Sequence, residues 1–89
     1  MRKQSITINN KTGLHARPAS DFVKLANQFS SDIQVTKEGT SESANAKSII
    51  YLLSLGLNKG TTIEITAEGD DEDAAVDALI ALVDSGLGE

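Results

Sequence analysis

Apolar and polar positions alternate in three stretches of the chain, recur at helical spacing in two others, and in one more give way to a compact apolar run. From Gln4 to Ile8, Ile6 and Ile8 fall on one face, the period of a short half-buried strand. Asn9 to Gly13 is a run of turn formers that ends it. Pro18 has a fixed φ and no amide hydrogen, which suits the first turn of a helix. Behind it, Ala19, Phe22, Val23, Ala26 and Phe29 form one apolar stripe, leaving Ser20, Asp21, Lys24 and Gln28 toward water. This helix is predicted to end near Ser30. Asp32 to Lys37 alternates through Ile33 and Val35, and Glu38-Gly39-Thr40 marks a reversal. Ser41 to Ala46 is polar and predicts a weak paired strand. Lys47 to Leu55 is compact and apolar, with Gly56 as its C-terminal glycine. After the turn Asn58-Lys59-Gly60, Thr61 to Ala67 alternates through Ile63 and Ile65. Val76, Leu79, Ile80 and Val83 then give a last helical stripe, closed by Gly86.

The order is therefore β-α-β-β-α-β-α, within one domain over residues 1–89. Strands with one wet face make an antiparallel sheet whose other face the helices must cover. The expected fold is a two-layer α/β (α+β) sandwich. Periodicity leaves the strand order open, and a ferredoxin-like arrangement satisfies the same string.

Composition narrows the chemistry. The chain has 89 residues, 13 acidic and 8 basic, for a formal charge of −5, which argues against non-specific nucleic-acid binding. With no cysteine there is no disulfide, thiol chemistry or zinc–thiolate site, and one histidine cannot make a multi-histidine metal centre. No cofactor is expected. No apolar run approaches the roughly 20 residues that span a bilayer, so no membrane insertion is expected. Met-Arg-Lys-Gln-Ser lacks the apolar core of a signal peptide, so the expected compartment is the cytoplasm. Asp70, Asp71, Glu72 and Asp73 could suggest a cation site, but a solvated helix start matched to the dipole accounts for them better.

The lone histidine, His15, stands where a loop becomes a helix. The first amides of a helix have no internal partner and carry the positive end of its dipole, a geometry that binds anions including phosphate. Arg17 adds a permanent cation whose planar fork can hold two phosphate oxygens. A neutral imidazole nitrogen is a nucleophile able to accept a phosphoryl group and release it. A lone loop histidine is also commonly just a surface residue, and spacing alone takes the argument no further.

Gly13-Leu14-His15-Ala16-Arg17-Pro18-Ala19 resembles the active-site signature of the HPr family, the histidine-containing phosphocarriers of the bacterial sugar phosphotransferase system. Asn45-Ala46-Lys47-Ser48-Ile49-Ile50, continuing to Leu53-Ser54-Leu55-Gly56, resembles that family's regulatory serine region, and the likeness extends to the terminal Gly-Leu-Gly-Glu. It implies an open-faced β-sandwich, with strand order 1-4-2-3 and three helices on one face. It also implies a carrier rather than an enzyme. His15 would take phosphate on Nδ1 from the phosphohistidine of enzyme I, with phosphoenolpyruvate the ultimate donor, and pass it to sugar-specific IIA domains. Arg17 would stabilise the phosphate, and the backbone at Ala16, Arg17 and Pro18 would shape the cradle.

The resemblance further implies that Ser48 is phosphorylated by a dedicated ATP-dependent kinase, the HPr kinase/phosphorylase, and that phosphoserine recruits a catabolite-control transcription regulator. Read from residues alone, Ser48 is a helix N-cap. Ile49, Ile50, Tyr51, Leu52 and Leu53 are more apolar than a short helix can hide, so a partner surface is expected there, chiefly at Ile50 and Tyr51. Core burial explains Ile49, Leu52 and Leu53 equally well. Ser20 and Lys24 join the expected partner surface, with Lys24 meeting an acidic rim, though a solvated lysine explains it as readily. A monomer is expected of a carrier that meets several partners.

The chain departs from the family pattern in three places. The stretch from His15 to Ser48 is slightly longer, through the turn around Glu38 to Ser43. Ile50 stands where methionine is common, and Tyr51 where a small residue is. The retained histidine sets it apart from regulatory paralogues that lack one. Two other readings compete: a carrier of the nitrogen-related branch, against which Lys47-Ser48-Ile49 argues, and a ferredoxin-like binding module with an incidental His15.

Overall fold

In the computed structural model, which describes residues 1–87, seven elements follow the expected order: β1 (Arg2–Thr7), α1 (Ala16–Ala26), β2 (Asp32–Lys37), β3 (Ser43–Asn45), α2 (Ile49–Ser54), β4 (Thr62–Glu68) and α3 (Glu72–Asp84). The sheet runs β1-β4-β2-β3 with every neighbouring pair antiparallel. Periodicity left that order open, and the order implied by the resemblance is the one found.

Alternation gives the two central strands, β4 and β2, one buried face. Ile63, Ile65 and Ala67 on β4 and Ile33 and Val35 on β2 are fully buried. The register carries one apolar row across the sheet, from Ile65 to Val35 to Ala44. The same face receives Phe22 and Ala26 of α1, Leu52 of α2, and Val76, Leu79 and Val83 of α3, all in one core. The opposite face is polar: Lys3 pairs with Thr66 and Thr66 with Gln34. The hydroxyls of Thr7 and Thr62 meet there at 2.7 Å.

Several boundaries differ from the pattern. β1 begins at Arg2, because pairing extends from Arg2–Ala67 to Thr7–Thr62. Arg2 lies on the covered face and reaches α3, donating to Asp77 at 2.8 Å and Asp73 at 3.4 Å. The helix expected to reach Ser30 ends at Ala26. Asn27 follows as its cap, its side-chain amide donating to the Val23 carbonyl at 2.9 Å, and the next amides tighten to bonds of the i to i−3 type. Phe29 still packs against the core from that turn. β3 is only three residues long, anchored by Ala44 opposite Val35.

The acidic run does more than match a dipole. Only Glu72 and Asp73 fall in the first turn of α3. Asp71 turns away and accepts the amide hydrogens of Ser30 and Ser31 at 2.8 and 3.0 Å. Glu72 accepts the Gly69 amide at 3.2 Å and pairs with the N-terminal ammonium at 2.9 Å. Gly86 adopts a left-handed φ of 87°, as expected of a glycine just past a helix. Of the terminal Gly-Leu-Gly-Glu, the last two residues lie outside the described residues. No helix among the described residues is long and apolar enough to cross a membrane.

Candidate functional site

Two loops are fastened together to build the mouth of α1. The Leu14 amide donates to the Leu57 carbonyl at 2.8 Å, joining the segment before α1 to the segment after α2. Gly13 makes this approach possible. Its φ is +69°, and a Cβ there would sit 2.5 Å from the Leu57 oxygen and 2.9 Å from the Asn58 Cα. Leu14 is fully buried, so the backbone that carries His15 is moored in the core.

His15 is the N-cap of α1, in extended backbone (φ −129°, ψ 161°), and its carbonyl accepts the first helical bond, from Ala19 at 3.4 Å. Its side chain does not cap the helix. The half-buried ring instead places Nε2 2.8 Å from Oδ1 of Asn58. A carboxamide oxygen can only accept, so this contact calls for Nε2–H as the donor, and in a neutral ring with that tautomer the lone pair lies on Nδ1.

Ala16 follows with φ +50°, an unusual conformation for a residue with a Cβ, costing about 1–2 kcal/mol. Left-handed Ala16 before right-handed Arg17 is the alternation that turns successive amides toward a common point. Pro18 is buried and has no amide hydrogen, so its part is to fix the helix start. Arg17 is exposed, and no carboxylate among the described residues forms an ion pair with it. An imidazole nitrogen at a helix N-cap, with a guanidinium two residues on that has no ion-pair partner among the described residues, is equipped to hold a phosphoryl group. Among the described residues no cluster could hold a metal ion.

The other expected residues divide. On α2, Ile50 and Tyr51 are 75% and 64% exposed and Leu53 is 39% exposed, whereas Ile49 is half-buried and Leu52 fully buried. Core burial therefore accounts for Leu52 and an exposed apolar patch remains. On α1, Lys24 is exposed and Ser20 half-buried. Ser48 is the N-cap of α2 by position, its carbonyl accepting the Leu52 amide at 3.0 Å, yet its hydroxyl makes no cap bond. It lies at the far end of α1 from His15, since Asn27, just past that end, donates to the Lys47 carbonyl at 3.3 Å. Lys47 is committed there too, its ammonium donating to the Phe29 carbonyl at 2.7 Å.

Asn58 is the site residue that sequence reasoning missed. Asn-Lys-Gly reads as a turn, and nothing in its spacing shows that it faces a histidine 43 positions earlier.

A 1-4-2-3 antiparallel sheet covered on one face by three helices, with a histidine at the mouth of the first, defines an HPr-like open-faced β-sandwich. Residues 2–85 match the family described as the PTS HPr component phosphorylation site. The phosphocarrier protein HPr of Vibrio cholerae is 49% identical over 61 residues, 68% of this chain and 69% of the relative. The HPr-like protein Crh of Bacillus subtilis is 48% identical over 61 residues, with the same shares. A crystal structure of HPr-C-His from Thermoanaerobacter tengcongensis superposes with a TM-score of 0.94 at 49% identity, covering 100% of this chain and 98% of that one. This chain belongs to the HPr family of phosphotransferase-system phosphocarrier proteins.

Proposed function

We propose that this chain accepts a phosphoryl group on Nδ1 of His15 from the phosphohistidine of enzyme I and passes it to sugar-specific IIA domains. The observation that carries this reading is the His15 ring at the N-cap of α1, two residues before Arg17, with Nε2 engaged by Asn58 so that Nδ1 is the ring nitrogen left to take the group. In the transfer, the Nδ1 lone pair forms a bond to phosphorus as the donor's P–N bond breaks, the released pair returning to the donor imidazole. The Nε2 proton stays where it is. Passing the group onward reverses these roles, so the chain turns over no small molecule of its own. The outward amides and Arg17 meet the negative charge that arrives.

Docking is assigned to Ile50, Tyr51 and Leu53, with Ile49, Ser20 and Lys24 at the margin, because an exposed apolar helix suits brief association with several proteins. The protein acts as a cytoplasmic monomer. Ser48 is the site of regulatory phosphorylation by an ATP-dependent kinase, its hydroxyl being unused in capping.

Incubation with enzyme I and phosphoenolpyruvate labelled on phosphorus tests the reading. Label that is acid-labile, alkali-stable and lost in His15→Ala is expected. Equal labelling of His15→Ala overturns it.

A further inference from the structure

We infer that Asn58 is a positioning residue for phosphoryl transfer, holding the His15 ring in one flip state and keeping its proton on Nε2 throughout the cycle. This rests on the phosphocarrier reading of His15 given above.

Nε2 lies off the Cβ–Cγ axis, so anchoring it fixes rotation about that bond. A half-turn of the ring would exchange Nδ1 with a carbon and present no lone pair to the donor. The bond of 2.8 Å to the Asn58 oxygen selects the productive state of the two.

Asn58 is itself held from several sides. Its amide donates to the Gly56 carbonyl at 3.1 Å, its carbonyl accepts the Thr61 amide at 3.0 Å, and the preceding carbonyl is bonded to Leu14 at 2.8 Å. Gly13 sits directly against its Cα. The acceptor is thus fixed to the same backbone that carries the ring, which is the precision a positioning group needs.

Chemistry makes this bond stronger when it matters. As Nδ1 commits its lone pair to phosphorus, the ring with Nε2–H becomes formally cationic, and its N–H becomes a better donor. A neutral acceptor 2.8 Å away then makes a charge-assisted bond in the transition state and in phosphohistidine. Because the bond strengthens during reaction, its loss should appear in kcat more than in KM.

The test compares wild type, Asn58→Leu, which fills similar space without an acceptor, and Asn58→Asp, which restores one. With enzyme I and labelled phosphoenolpyruvate, Asn58→Leu should lose about tenfold in kcat with KM within about twofold. Asn58→Asp should recover most of that loss. Nitrogen-15 NMR of the wild-type ring should find the proton on Nε2 both before and after phosphorylation. The inference is overturned by a proton on Nδ1 in the unphosphorylated wild type, by an undiminished kcat in Asn58→Leu, by a change confined to KM, or by equal slowing in both variants. Any of these alongside loss of label in His15→Ala removes only the role of Asn58, whereas retention of label there removes the carrier reading itself.

Discussion

The carboxylate of Asp71 accepts the amide hydrogen of Ser31 at 3.0 Å across 40 residues of sequence, and the Ser31 hydroxyl donates to the same oxygen. The other carboxylate oxygen takes the Ser30 amide at 2.8 Å. The turn that enters β2 is thereby tied to the start of α3, one end of the layer that α1 also helps to form.

This tie predicts acid sensitivity with a definite sign. The donors from Ser31 and Ser30 lower the Asp71 carboxyl from its ordinary 3.8 to about 2. Its contribution to stability is therefore complete above its ordinary value and is lost as pH falls from about 4 through about 2. Glu72, lowered by its bond to the N-terminal ammonium, acts in the same direction. Urea denaturation between pH 2 and pH 7 should show stability falling in that window. Asp71→Asn should be less stable at neutral pH and should show a shallower fall, with the remaining slope due to Glu72 and other carboxylates.

Gly13→Ala should damage the mouth of α1. A Cβ at 2.5 Å from the Leu57 oxygen meets backbone that cannot swing aside, and φ +69° adds strain. A loss of about 2 kcal/mol or more is expected in denaturant titration. The Leu14–Leu57 bond should loosen with it, read as faster hydrogen exchange at the Leu14 amide.

What the sequence displays, and what it hides, follows from the range of the physics involved. β2, α3 and the stripe of α1 were legible because burial repeats with a period, and Asp32 to Lys37 came out with both ends right. His15, Ala16, Arg17 and Pro18 are contiguous, so their placement at a helix start could be read locally. Asn58 and Asp71 could not, because each acts on a partner about 40 residues distant through a single side-chain bond that leaves no periodic trace. The early end of α1 was missed for a related reason: Phe29 keeps the apolar spacing after the backbone has already left the helix.

Neighbours on α2 should respond oppositely to truncation. Leu52 is fully buried in the core, so Leu52→Ala should cost about 2–5 kcal/mol. Ile50 is 75% exposed, so Ile50→Ala should stay within about 0.5 kcal/mol of wild type. If the exposed patch receives partners, Ile50→Ala and Tyr51→Ala should instead weaken association with enzyme I by about tenfold, measured by calorimetry. An unchanged affinity in both would remove the patch from docking.

Charge at Ser48 should act on docking and leave the fold intact. The residue caps α2 by position while its hydroxyl makes no cap bond, so a carboxylate there faces the positive end of the helix dipole. Ser48→Asp should consequently be as stable as wild type or more so, by up to about 1 kcal/mol. Ser48 and His15 stand at opposite ends of α1, so direct repulsion at the ring is not the main effect. The new charge lies next to Ile49 and Ile50, and if a phosphorylated donor docks on that patch it should slow transfer by raising KM. Fields between exposed charges are screened over about 8 Å at physiological ionic strength. Adding salt should therefore recover part of the lost rate in Ser48→Asp relative to Ser48→Asn. A Ser48→Asp protein that accepts phosphate from enzyme I as fast as wild type at low salt would remove electrostatic control from this position.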